Sequence, residues 1–216
     1  MKKQIPNALT ASNLVFGMLS IISTYNAEYF LAAVFIIIAM IADGLDGRAA
    51  RYFKVSSEFG KELDSLCDLV SFGVAPAFLA YAYSLHDLGY VGMAGAVFFA
   101  TCGALRLARF NVNTTVVKGF FMGLPIPAGG CLIATFILTG AMPKVEFLTI
   151  AVVLVGYLMV STVRYPDFKG KGEKIKKIPV LITALFAIYI LFWNVKAVLF
   201  MILSAYVVFG ILNTLM

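Results

Sequence analysis

Eight apolar runs fill most of this 216-residue chain, at about 9–25, 28–47, 63–85, 88–105, 123–142, 145–164, 178–193 and 195–214. Each is close to the roughly 20 residues that an α-helix needs to cross a bilayer. In lipid, every backbone amide and carbonyl must find its partner within the protein, so runs of this length become helices. Composition agrees: 62% of residues are apolar, 13% are charged, and mean hydropathy is +0.95, more apolar surface than a soluble core of this length can bury. The expected fold is therefore all-α, a polytopic membrane helical bundle of about eight transmembrane helices in a single transmembrane domain over 1–216. Lys2 and Lys3 before a short first run resemble a secretory signal, but no small-residue cleavage site follows, so this run is expected to remain as a helix.

Positive charge sets the expected orientation. Of the 17 Lys and Arg residues, only Lys144 and Lys196 fall on one side of such a bundle; the rest, including Arg48, Arg51, Lys61, Arg106, Arg109, Lys118 and Arg164, fall on the other. Both termini are then cytoplasmic. The formal charge of +6 mostly restates this asymmetry, and no nucleic-acid partner is expected. Its densest part, YPDFKGKGEKIKK at 165–177, serves topology and can also hold anionic lipid headgroups. Cys67, Cys102 and Cys131 each lie alone in an apolar run and read as core packing, and His86 reads as a solvated connection residue.

Against this background, four aspartates within twenty-six residues need a reason: Asp43, Asp46, Asp64 and Asp68 in DGLDGRAARYFKVSSEFGKELDSLCD. One carboxylate at a helix centre costs about 2.5–3.5 kcal/mol on the insertion scale, and the default reason for such a residue is a functional site. On a helix, Asp43, Asp46, Gly47 and Ala50 share one face, and Asp64 and Asp68 form a second pair on the next helix. Antiparallel packing of the two helices around the short 52–60 connection brings all four to one level below the expected cytoplasmic surface. Four carboxylates so placed cannot all remain charged in a poorly polarisable medium without cations. Two divalent ions cancel them, and oxygen-only ligands favour Mg²⁺ or Mn²⁺ over zinc. A two-metal clamp suits displacement at phosphorus. Gly47 and Ala50 leave room for a phosphate-bearing ligand, and Arg51 at the mouth can pair with a phosphate.

Two other readings compete. Salt bridges with Arg48 and Arg51 would make the aspartates structural, but two arginines cannot neutralise four carboxylates. A cation-coupled transporter would use them as an ion site, yet transporters place such sites near the midplane between repeats, and this sequence has no visible repeat and a cluster biased to one end.

At these residues the chain resembles the CDP-alcohol phosphatidyltransferase family, whose signature D-x2-D-G-x2-A-R-x8-G-x3-D-x3-D is matched by Asp43, Asp46, Gly47, Ala50, Arg51, Gly60, Asp64 and Asp68. The resemblance implies a homodimeric helical enzyme that moves a phosphatidyl group from a CDP-linked lipid to an alcohol and releases CMP. It further implies that Asp43, Asp46, Asp64 and Asp68 are metal ligands, that Asp68 is the general base, and that Gly47, Arg51 and Ser57 contact the CDP moiety. IPNALTASNLVFG at 5–17, ALRLARFNV at 104–112 and KGFFMGLPIPAGG at 118–130 are similar to the phosphatidylserine synthase branch, whose acceptor is L-serine. The resemblance covers the core spans, 1–164; the two additional spans, 178–214, carry no site motif.

These segments supply further candidates. Asn7, Thr10 and Asn13, with Gly60 and Ala50, are candidates for the CDP-lipid wall, N-capping of the first helix being the alternative for the polar residues. Arg106, Arg109, Asn111 and Lys118 are candidates for binding serine, since an acceptor carboxylate needs cations or amide donors; anchoring at the headgroup level is the alternative for the basic residues. Pro125 and Pro127 are expected to open the fifth span, where a missing amide matters least.

Overall fold

The computed structural model describes residues 4–53, 55, 57–112, 120–166, 177–193 and 197–215. Lys118 and nearly all of the basic 165–177 stretch lie outside them. Among the described residues the chain forms eight principal helices: α1 (Gln4–Tyr25), α2 (Tyr29–Phe53), α3 (Glu58–Tyr83), α4 (Tyr90–Val112), α5 (Ile126–Leu138), α6 (Val145–Val160), α7 (Lys177–Trp193) and α8 (Val198–Leu215). The all-α expectation holds. Five of them, α1 to α4 and α8, are long and apolar enough to cross a membrane.

α5 and α6, at 13 and 16 residues, are shorter than the sequence reading expects. Thirteen residues rise only about 20 Å against a hydrocarbon core of about 30 Å. The cause is local: Pro125 caps α5 and Pro127 occupies its first turn, as expected, while Gly140 takes φ +71° just after Thr139 and ends it. A short antiparallel pair absent from the sequence reading, β1 (Phe120–Met122) and β2 (Arg164–Pro166), joins the chain before α5 to the chain after α6.

Packing around α1 positions the site. On α2, the buried stripe Ala32, Ile36, Ala39 and Ala42 presents small side chains that admit α1 at close range. The first half of α3 packs chiefly on α1 rather than on α2, which departs from the expected pairing of the two aspartate helices. Directly after Asp68, α3 widens into a π-helical segment, Leu69–Val74. π segments often sit at functional sites, and here the segment turns Ser71 toward α1. Its hydroxyl donates to the Asn13 carbonyl at 3.0 Å. This approach requires Gly17, because a Cβ there would overlap Ser71, its Cα included.

Candidate active site

Thr10 and Asn13 lie inside α1, not at its start, since the helix begins at Gln4; the N-capping alternative therefore falls. Spaced i, i+3, they share a face, and each holds an aspartate. Thr10 Oγ1 is 2.5 Å from Asp46 Oδ2 and 3.0 Å from the Pro6 carbonyl. The hydroxyl has one proton, and the carboxylate is the stronger acceptor. Asn13, wholly buried, donates from Nδ2 to Asp68 Oδ1 at 3.0 Å. Asp46 continues the buried stripe of α2 and so faces α1.

Asp43, three residues earlier, is offset from Asp46 by about 60° around the helix. Carboxylate oxygens of Asp43, Asp64 and Asp68 lie within 4.8 Å of one another. Three of the four aspartates thus converge, while Asp46 stands beside them, tied to Thr10. The Oδ1 of Asp64 is buried and has no donor among the described residues. A buried oxygen of this kind is strongly unfavourable without a positive partner, and the cluster offers only hard oxygen donors. Those features fit a divalent cation of the Mg²⁺ or Mn²⁺ type.

Next to the cluster opens a cavity of about 250 Å³, lined by Pro6, Asn7, Thr10, Asp46, Gly47, Ala50, Val55, Ser57, Gly60, Lys61 and Asp64. Six candidates for the CDP-lipid wall thereby meet around one space: Asn7, Thr10, Gly47, Ala50, Ser57 and Gly60. Ser57 caps α3 by accepting the Gly60 amide at 3.0 Å, which fixes the floor of the cavity. Arg51 is exposed at the rim, its Nη1 3.8 Å from where a Cβ on Gly47 would lie. Asn13 is not part of this lining.

The acceptor-side candidates separate. Arg106 is buried, 8% exposed, with its guanidinium 5.2 Å from the Phe110 ring centre and Asp68 among its charged neighbours; it makes no hydrogen bond with the described residues. Arg109 is committed elsewhere, donating to the carbonyls of Val160, Met122 and Ser161 at 3.0, 3.1 and 3.2 Å. It thereby satisfies the open C-terminal end of α6 and ties it to β1. Asn111 donates to Ser65 Oγ at 2.9 Å, and its Oδ1 is buried without a donor among the described residues. Lys61, which sequence reasoning took only as a topological charge, lines the cavity and reaches the Asn111 carbonyl at 3.2 Å. Its signal was present in the i, i+3 spacing to Asp64. His86 is about half exposed at the opposite end, beside Asp87 at 3.2 Å, and the three cysteines are buried, as expected.

A family model for CDP-alcohol phosphatidyltransferases matches residues 3–164. A CDP-diacylglycerol–serine O-phosphatidyltransferase of Helicobacter pylori is 38% identical over 219 residues, covering 97% of this chain and 90% of that protein. The protein of the same name from Bacillus subtilis is 40% identical over 166 residues, 76% of this chain and 91% of its own length. An archaetidylserine synthase of Methanothermobacter thermautotrophicus is 38% identical over 172 residues, 78% of this chain and 72% of its own length.

Proposed function

Because the chain belongs to the CDP-alcohol phosphatidyltransferase family, we propose that it transfers a phosphatidyl or archaetidyl group from a CDP-linked lipid to the hydroxyl of L-serine and releases CMP. The observation that carries this reading is the convergence of Asp43, Asp64 and Asp68 beside a cavity lined by Asp46, Gly47, Ala50 and Gly60 of the signature. Asp46, Gly47, Ala50, Ser57 and Gly60, with Asn7 and Thr10, form the donor wall, and Arg51 at its rim pairs with a diphosphate oxygen. Asp43, Asp46, Asp64 and Asp68 hold the metal, one or two ions of Mg²⁺ or Mn²⁺, which when bound supplies positive charge against the diphosphate.

Asn13 holds Asp68 Oδ1, which leaves Oδ2 to take the proton of the serine hydroxyl. The serine oxygen then bonds to the lipid-side phosphorus as the bond from that phosphorus to the CMP oxygen breaks. Arg106, buried near Asp68, offers its guanidinium to the serine carboxylate, and Asn111 lends its amide at the same edge. Arg109 supports this wall through the carbonyls it holds.

Purified protein given CDP-diacylglycerol and a panel of serine, ethanolamine, glycerol 3-phosphate and an inositol phosphate tests this acceptor choice. Serine is expected to drive CMP release, and ethanolamine, without a carboxylate, is expected to be poor. A clear preference for glycerol 3-phosphate would overturn the serine assignment and leave the family chemistry intact. In the same assay Arg106→Ala is expected to raise the serine KM by about ten- to hundredfold, the equivalent of one charge-assisted contact, with CDP-lipid affinity nearly unchanged.

The chain is an integral membrane protein by its apolar helices and its family, and its active site faces the cytoplasm in this proposal. A cysteine placed at Glu58 should react with an impermeant thiol reagent only from the cytoplasmic side, and one at Asp87 only from the other, in a background without Cys67, Cys102 and Cys131. Labelling of both from one side would refute the orientation. The single domain works as a homodimer, as the family resemblance implies; crosslinking in native membranes that traps only monomer would count against this.

A further inference from the structure

α7 and α8 lie beyond the segment matched by the family model, which ends at residue 164. The Bacillus protein of the same name matches 76% of this chain with 91% of its own length. Even so, α8 is not a helix that only faces lipid. It packs on α5 and on β2. Tyr206 donates from its hydroxyl to the Pro166 carbonyl at 3.2 Å, and its ring lies 5.4 Å from that of Tyr165. Tyr165, wholly buried on β2, seats against Gly210, where any Cβ would overlap its ring. One turn further, Thr214 accepts the Arg164 amide at 2.9 Å. α8 therefore grips β2 at three successive turns.

β2 pairs with β1, which Arg109 holds through Met122, and Arg106 is one turn before Arg109 on α4. Arg106 is buried, with its guanidinium over the Phe110 ring, and makes no hydrogen bond with the described residues. The sequence reading found no site motif in the last two spans because their contribution is one aromatic, one glycine and one threonine, residues that look like ordinary membrane packing.

We propose that Tyr206 is a positioning residue for the acceptor side of the reaction: it clamps the β1–β2 pair through Tyr165 and Pro166, and with it the wall that Arg109 ties to Met122 one turn from Arg106. The inference rests on the serine reading above. In it, a helix outside the family's matched segment tunes affinity for the amino-acid acceptor and leaves the nucleotide-lipid side alone.

The test uses the full chain in lipid nanodiscs with CDP-diacylglycerol, measuring CMP release against serine concentration and CDP-lipid affinity separately. Tyr206→Ala, and Gly210→Val to unseat Tyr165, are expected to raise the serine KM by about five- to tenfold, with kcat and CDP-lipid Kd within about twofold of the parent. Tyr206→Phe keeps the ring against Tyr165 and loses the hydroxyl, so its rise should be smaller, about two- to threefold, and it decides the matter if the other variants do not accumulate. An unchanged serine KM in these variants overturns the proposal. So does a parallel loss of kcat and of both affinities, which is what a merely structural latch would give. If the parent protein itself fails to use serine, it is the acceptor assignment that fails, before any variant is compared.

Discussion

Asp68→Asn is expected to lower kcat by about 10²- to 10⁴-fold, the range for loss of a general base, while CDP-lipid affinity stays within a few-fold of the parent. The split follows from the geometry. Asp68 shares its cluster with Asp43 and Asp64, and its Oδ1 accepts from Asn13 at 3.0 Å. Asparagine keeps one oxygen for the cluster but cannot take a proton at neutral pH. Asp46→Ala should behave differently. Asp46 lines the cavity and is held by Thr10, so its removal should weaken metal and CDP-lipid binding together. Steady-state turnover and donor affinity for both variants decide this, and substantial turnover in Asp68→Asn would remove that residue from the base role.

The second large effect is metal dependence. Carboxylate oxygens of Asp43, Asp64 and Asp68 lie within 4.8 Å of one another, and Asp64 has a buried oxygen lacking any donor among the described residues. Arg106 is near Asp68, but one guanidinium cannot offset the cluster. Excess EDTA should therefore abolish CMP release, and Mg²⁺ or Mn²⁺ should restore it. Full activity in protein shown by elemental analysis to be metal-free would refute the ligand role of the aspartates.

Much of this site was legible before the structure because its residues are costly where they stand. Aspartates in apolar runs demand compensation whatever the fold, and the i, i+3, i+4 spacing alone put Asp43, Asp46 and Gly47 near one face. Such spacing is coarse, however. An offset of about 60° between i and i+3 is what sends Asp43 to its carboxylate partners and Asp46 to Thr10. The interposed α1 was not legible either, since loop length suggested that α2 and α3 pack together, whereas small side chains on α2 and Gly17 on α1 draw α1 into the position beside both.

Arginine roles were the least readable from sequence. Arg106 and Arg109 have the same chemistry and lie one turn apart, yet one is buried over the Phe110 ring while the other spreads its donors over three carbonyls. The difference depends on where α6 ends and where β1 runs, which are long-range facts. For the same reason, the shortness of α5 was hidden: residues 139–142 continue the apolar run but follow a helix that stops at Leu138, with Thr139 as its cap and a glycine of positive φ next.

The central claim is that this carboxylate site joins a CDP-lipid to serine. The most direct measurement supplies the reconstituted protein with CDP-diacylglycerol, Mg²⁺ or Mn²⁺ and isotopically labelled L-serine, and identifies the lipid product by mass spectrometry alongside CMP. The expected result is phosphatidylserine carrying the intact serine label in one-to-one ratio with CMP, formed about 10²- to 10⁴-fold more slowly by the Asp68→Asn protein. CMP accompanied by phosphatidic acid without label, or labelled lipid formed equally well by the Asp68→Asn protein, would contradict it.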